Sequence, residues 1–124
     1  MTQTTSDPTT ERYEFLLVAT ATETREEAES LAKLAVEGRF AAGAQIVGPI
    51  VSAFWHLDEF GTGEEWRLTL QTHASRFSEL EQLLRENHSW DKPEISAVPI
   101  VAGSVDYLGW IRKSVMPEAG NGAS

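Results

Sequence analysis

The run A-Q-I-V-G-P-I-V-S-A-F-W-H-L at residues 44–57, the turn D-E-F-G-T-G-E at 58–64 and the run E-W-R-L-T-L-Q-T-H at 65–73 together decide the fold. The last run alternates strictly. Trp66, Leu68 and Leu70 fall on one side, and Glu65, Arg67, Thr69, Gln71 and His73 on the other. A period of two is the mark of a strand with a single apolar face. The first run is apolar in both halves and broken only by Gly48-Pro49. Proline has no N–H for a strand ladder, so the dipeptide predicts a bulge or kink inside one long strand. The two strands form a hairpin in the middle of the chain.

On the N-terminal side, Y-E-F-L-L-V-A-T at 13–20 is short and apolar, as a strand covered on both faces would be. Thr24-Arg25-Glu26-Glu27 follows as a capping box, in which a hydroxyl and a carboxylate satisfy free amides at a helix start. Ala28, Leu31, Ala32 and Ala35 continue at helical spacing, and Gly38 is placed to end the helix in a left-handed conformation. Beyond the hairpin, Ser75 is expected to cap a second helix with the apolar face Phe77, Leu80, Leu83 and Leu84, ending near Asn87. Residues 94–101 form a fourth strand containing Pro99, and Ser104 caps a last helix carrying Tyr107, Leu108, Trp110 and Ile111.

The predicted order is β-α-β-β-α-β plus a terminal helix, an α+β ferredoxin-like sandwich with an extra C-terminal helix. In that topology the fourth strand lies at a sheet edge, where Pro99 is tolerated. Two helices cover one sheet face, and the other is left to solvent or to another copy. The hairpin is longer than a compact monomer needs and carries Trp55, Phe60 and Trp66. Long hairpins with exposed aromatics suit pairing between subunits; the alternative is an aromatic cluster folded back on its own sheet.

The chain has 124 residues, of which 41% are hydrophobic, enough for one domain with one core. Residues 1–12 read as a disordered lead, 13–115 as the folded domain and 116–124 as a disordered tail. The formal net charge is −9, and Arg112-Lys113 is too small a basic cluster to hold a phosphate backbone, so nucleic acid is not an expected partner. There is no cysteine, which excludes disulfides and thiolate ligands. No apolar run is long enough to span a membrane, and no signal peptide is visible, so the cytoplasm is the expected location.

Chemistry-bearing motifs are few. There is no nucleophile elbow, phosphate-binding loop or dinucleotide turn, and no enzymatic activity is expected. His56 and Asp58 share a face on an extended chain and form half of a metal site, or else solvated rim residues. The loop Asn87-His88-Ser89-Trp90-Asp91 before Pro93-Glu94 gathers a histidine, an aromatic and carboxylates. Trp90, Lys92 and Glu94, with Tyr107 and Trp110, are the candidate lining of a ligand cleft between subunits; Trp90 also reads as a packing anchor. Trp55, Phe60, Trp66 and Arg67 are the candidate oligomer contacts.

Several segments together resemble the CutA divalent-cation-tolerance family. Residues 37–46 (E-G-R-F-A-A-G-A-Q-I) are similar to its E-x-[KR]-L-A-A-C-[VA]-[NQ]-I segment, and Pro49 through Trp55 to its P-x-x-S-x-[YF]-W segment. Residues 87–95 resemble H-P-Y-x-x-P-E-I, and residues 99–111 the closing P-I-x-x-G-x…Y-L-x-W-[IL]. The resemblance runs from about Phe15 to Val115. It implies a homotrimer like that of PII-type signalling proteins, a role in the response to metal ions, and binding of copper(II) or another divalent cation. It implies no established reaction. The family's proposed metal-reactive cysteines fall at Ala19 and Gly43 here, and its carboxylate ligand at Glu65. The metal candidates are therefore Glu65 and His88, binding weakly. A PII-like sensor of a small metabolite, or a structural trimeric scaffold, are the alternatives.

Overall fold

A computed structural model describes residues 13–117. Strand β1 (Phe15–Thr22) leads to helix α1 (Arg25–Glu37), strands β2 (Gly43–His56) and β3 (Glu59–His73), a 3-10 turn (Ala74–Arg76), helix α2 (Phe77–Asn87), strand β4 (Ile95–Pro99) and helix α3 (Val105–Val115). The antiparallel sheet has the order β2-β3-β1-β4, which is the predicted ferredoxin-like α+β arrangement with an added helix. Strand β4 lies at an edge, with Pro99 opposite Leu16. The expectations for residues 1–12 and 118–124 fall outside the described residues.

Alternation decides what each face carries. Leu16, Val18, Leu68 and Leu70 point to one side and are fully buried under α1 and α2, against Ala28, Leu31, Ala35, Leu80 and Leu84. Each such leucine contributes about 1.5–3 kcal/mol of transfer free energy. The opposite face is covered at one end only. There Ile111 and Val115 of α3 pack on Phe15 and Ala42. Arg112 fixes that helix: its guanidinium donates to Glu14 Oε2 at 2.8 Å and lies over the Phe15 ring.

Local chemistry departs from the sequence reading at four points. Thr24 caps α1 by accepting from the Glu27 N–H at 3.1 Å, but the Glu27 carboxylate leaves the helix and binds Ser89 instead of closing a capping box. Gly38 has φ −83°, and the left-handed residue is Arg39, φ 64°, whose side chain donates to the Ser114 carbonyl. Ser75 is not a cap; the 3-10 turn is capped by His73, whose Nδ1 accepts from the Ser75 N–H. The hairpin turns at Leu57 and Asp58 alone, both with positive φ, the pattern of a two-residue type I′ turn. Gly61 and Gly63 therefore lie within β3, opposite Phe54 and Ser52, and the Phe54 ring crosses them.

The expected irregularity in β2 is present: the register shifts between Val47 and Ile50, around a cis Gly48-Pro49 peptide. A side chain at 48 would strike the Trp66 ring, 2.5 Å from Cε3. Trp66, expected at an oligomer contact, is half-buried within its own chain. It shares the face of Leu68 and Leu70 and packs on its own core beside Arg25. Trp55 and Phe60 do project outward, 75% and 65% exposed, and touch only edge-on at 6.1 Å between ring centroids.

Candidate functional site

The chemistry-bearing residues gather where the open sheet face meets the loop after α2. Asn87 ends that helix by donating to the Leu83 carbonyl, and His88 then turns inward until its side chain has no exposed surface. His88 Nε2 lies 2.8 Å from the Ala21 carbonyl oxygen, which can only accept, so Nε2 carries the proton. Nδ1 then accepts from the Trp90 N–H at 3.1 Å. Glu27 Oε2 stands 3.5 Å from the same Nδ1, and with that nitrogen unprotonated the contact is not a hydrogen bond. The Glu27 carboxylate is satisfied by Ser89, from N at 2.7 Å and from Oγ at 2.9 Å. The Trp90 indole lies against the His88 ring at 5.3 Å between centroids. Three elements thus hold one short loop: α1 through Glu27, β1 through Ala21, and α2 through its own end.

Next to this loop, Arg67 of β3 and Glu94 form a bidentate pair, Nη1–Oε1 3.1 Å and Nη2–Oε2 2.9 Å. Arg67 stands opposite Ala21, and Ile95 opposite Thr20, so the two side chains meet over β1. The Arg67 guanidinium holds the Glu94 carboxyl below the usual carboxylate range, and Glu94 in turn raises the Arg67 pKa. The pair joins a residue expected at an oligomer contact to one expected in a ligand cleft. Lys92 is exposed on the same loop.

At the other end of the open face, the Tyr107 and Trp110 rings stack at 5.8 Å and 29°, both partly exposed. Trp110 closes over Gly43. A Cβ there would come 3.0 Å from Trp110 Cη2 and 2.9 Å from Gln71 Oε1, a buried oxygen with no hydrogen-bond partner. The position that the resemblance equates with a cysteine is therefore filled by an indole.

The metal candidates Glu65 and His88 each have partners within the chain. Both His88 ring nitrogens are engaged within the chain, and Glu65 accepts from Ser52 Oγ at 3.0 Å. His56 ends β2 while Asp58 sits in the turn at φ 66°, so the extended geometry that would align them is lost. His73 is largely covered: it caps the 3-10 turn and its ring meets Phe15 edge-on. Among the described residues no group of three or more His, Asp or Glu side chains is placed to hold a metal ion. Sequence reasoning missed the Glu27–Ser89 link, because a Glu three residues after a helix cap already had a local explanation.

A split-βαβ sheet with two helices on one face, a third helix at one end of the other and an extended aromatic hairpin defines the class of fold. The family model for the CutA1 divalent ion tolerance protein matches residues 16–114. The chain is 34% identical over 90 residues to the divalent-cation tolerance protein CutA of Archaeoglobus fulgidus, covering 73% of this chain and 87% of that one. It is 33% identical over 101 residues to the protein of the same name from Thermus thermophilus, covering 82% and 96%. The solved structure of the divalent cation tolerance protein (Cut A1) from Thermus thermophilus superposes with a TM-score of 0.79 at 31% identity, covering 81% of this chain and 97% of that one. This chain belongs to the CutA1 divalent ion tolerance family.

Proposed function

We propose that this chain is a homotrimeric divalent-cation-tolerance protein of the cytoplasm, working through clefts between subunits and carrying out no chemical reaction. The observation that carries the reading is the uncovered part of the sheet. Val47 and Val98, on the sheet face away from α1 and α2, are 61% and 56% exposed, and Val51, Trp55 and Phe60 of the hairpin are 75%, 75% and 65% exposed. The outer edges of β2 and β4 have no partner strand among the described residues. An apolar surface of this kind next to open strand edges favours association of copies. Members of a family named for divalent ion tolerance supply the physiological role.

The test is a pair of changes at the arm, Trp55→Ser and Phe60→Ser. The double variant is expected to lose the oligomer in solution. It is also expected to lose rescue of a copper-sensitive host that lacks its own family member. Full rescue by a monomeric double variant would sink the reading.

One observation favours a second reading, a PII-like sensor of a small metabolite. Trp90 and Lys92 sit on a loop pinned at three points, beside a guanidinium whose only ion-pair partner among the described residues is Glu94. A small carboxylate or phosphate could compete with Glu94 for Arg67. Intrinsic tryptophan fluorescence across a panel of nucleotides and carboxylates tests it: a saturable change supports it, and a flat response counts against it.

A further inference from the structure

The family's name concerns divalent ions, and the donor set of this chain does not fit a protein that holds them. Copper(I) and mercury(II) sites are built mainly on thiolates, and copper(II) and zinc(II) sites mainly on imidazole supported by carboxylate. The sequence has no cysteine, so no arrangement of copies supplies a thiolate. It has three histidines. His88 is enclosed, with Nε2 given to the Ala21 carbonyl and Nδ1 taken by the Trp90 amide. His73 is 13% exposed; its Nδ1 accepts from the Ser75 N–H at 3.1 Å, and its Nε2 faces Glu14 Oε2 at 3.4 Å. Binding a metal at either would break the bonds that fix the loop after α2 or the turn after β3.

The carboxylates that face His88 and His73, and the two on the open sheet face, are engaged within the chain. Glu27 serves two Ser89 donors, Glu14 serves Arg112, and Glu94 serves Arg67. Glu65 accepts from Ser52. That leaves His56, exposed at the end of β2 with Glu59 opposite and Asp58 in the turn; these are not placed as a three-donor group, and one imidazole binds a divalent ion only weakly.

We infer that this chain acts in cation tolerance without holding the cation: it is not a sequestering protein. The inference rests on the proposed role in cation tolerance, and it sets the bound-metal stoichiometry of the protein close to zero.

The test uses the full chain, freed of metal with a chelator and incubated separately with copper(II) and with zinc(II) in a glycine buffer. It is then passed through gel filtration, and elemental analysis of the protein peak counts the ions retained. His56→Ala is run in parallel. The expected result is no ion retained by either protein beyond the blank, and no difference between them. One ion retained per chain, or one per three chains, would overturn the inference, whether or not His56→Ala abolishes it. The count is independent of the oligomeric reading, because light scattering on the same peak reports the mass separately.

Discussion

Arg67 and Glu94 grip each other over β1, with two parallel N–H···O bonds of 3.1 and 2.9 Å. The grip joins a central strand to the start of an edge strand and sets the position of the loop that carries Trp90 and Lys92. Both side chains are more than a third exposed, so solvent screens the pair.

From that geometry a pH dependence follows. Glu94 has its folded-state pKa lowered, first by the hydrogen bonds from Arg67. Its contribution to stability is complete above the unfolded carboxyl pKa, about 4.3, and is lost as pH falls through the lower folded value. The stability difference between the chain and its Glu94→Gln variant, read from urea midpoints, should shrink between about pH 6 and about pH 3. A double-mutant cycle with Arg67→Ala should give a coupling of about 1 kcal/mol or less, as for other exposed pairs. A difference that grows on acidification would contradict the assignment.

Glu27 is predicted to be the residue that holds the loop. It is 16% exposed and accepts two hydrogen bonds from Ser89. Glu27→Ala should cost about 1–3 kcal/mol, the range for hydrogen bonds to a charged acceptor. The Ser89 and Trp90 amides should exchange with deuterium faster in this variant, while the amides of β1 and β3 keep their protection. Unchanged exchange at Ser89 would show that Ala21 and His88 hold the loop alone.

The hairpin turn carries strain that can be relieved. Leu57 and Asp58 both have positive φ, a region that side chains other than Asn, Asp and Gly adopt at a cost. Replacing the pair by Asn-Gly should stabilise the protein by about 1 kcal/mol in urea unfolding. A loss of stability would mean that Leu57, 84% exposed in the protomer, makes an apolar contact in the assembly that exceeds the strain.

Gly43 and Trp110 should behave as a matched pair. Gly43→Ala places a methyl group 3.0 Å from the indole and 2.9 Å from Gln71 Oε1, so it should destabilise by about 1–3 kcal/mol. In a Trp110→Leu background the same change should cost measurably less. Equal costs in the two backgrounds would show that Gln71, not Trp110, sets the limit.

Strand and helix order was legible in the sequence because the period changes cleanly, from two in residues 65–73 to the helical spacing of Ala28, Leu31 and Ala35. The turn was misplaced because Gly61 and Gly63 look like turn residues. Their role is to lie flat under the Phe54 ring, which only the strand register reveals. The face of Trp66 is read directly from its alternation with Leu68 and Leu70. The loop after α2 stands out in the sequence by its residue types, but its wiring is not visible there. His88 Nε2 reaches Ala21 across 67 residues, and Glu27 reaches Ser89 across 62. Contacts at such separations leave no periodic trace. A histidine near a carboxylate reads the same from sequence whether it awaits a ligand or is already satisfied.

The proposed homotrimer would cover the exposed arm of Trp55 and Phe60 and the open strand edges. Multi-angle light scattering on the purified chain is the most direct test. The account predicts a single species of about three times the 13.7 kDa protomer, unchanged by removal or addition of copper. A stable monomer at the same concentration would contradict it.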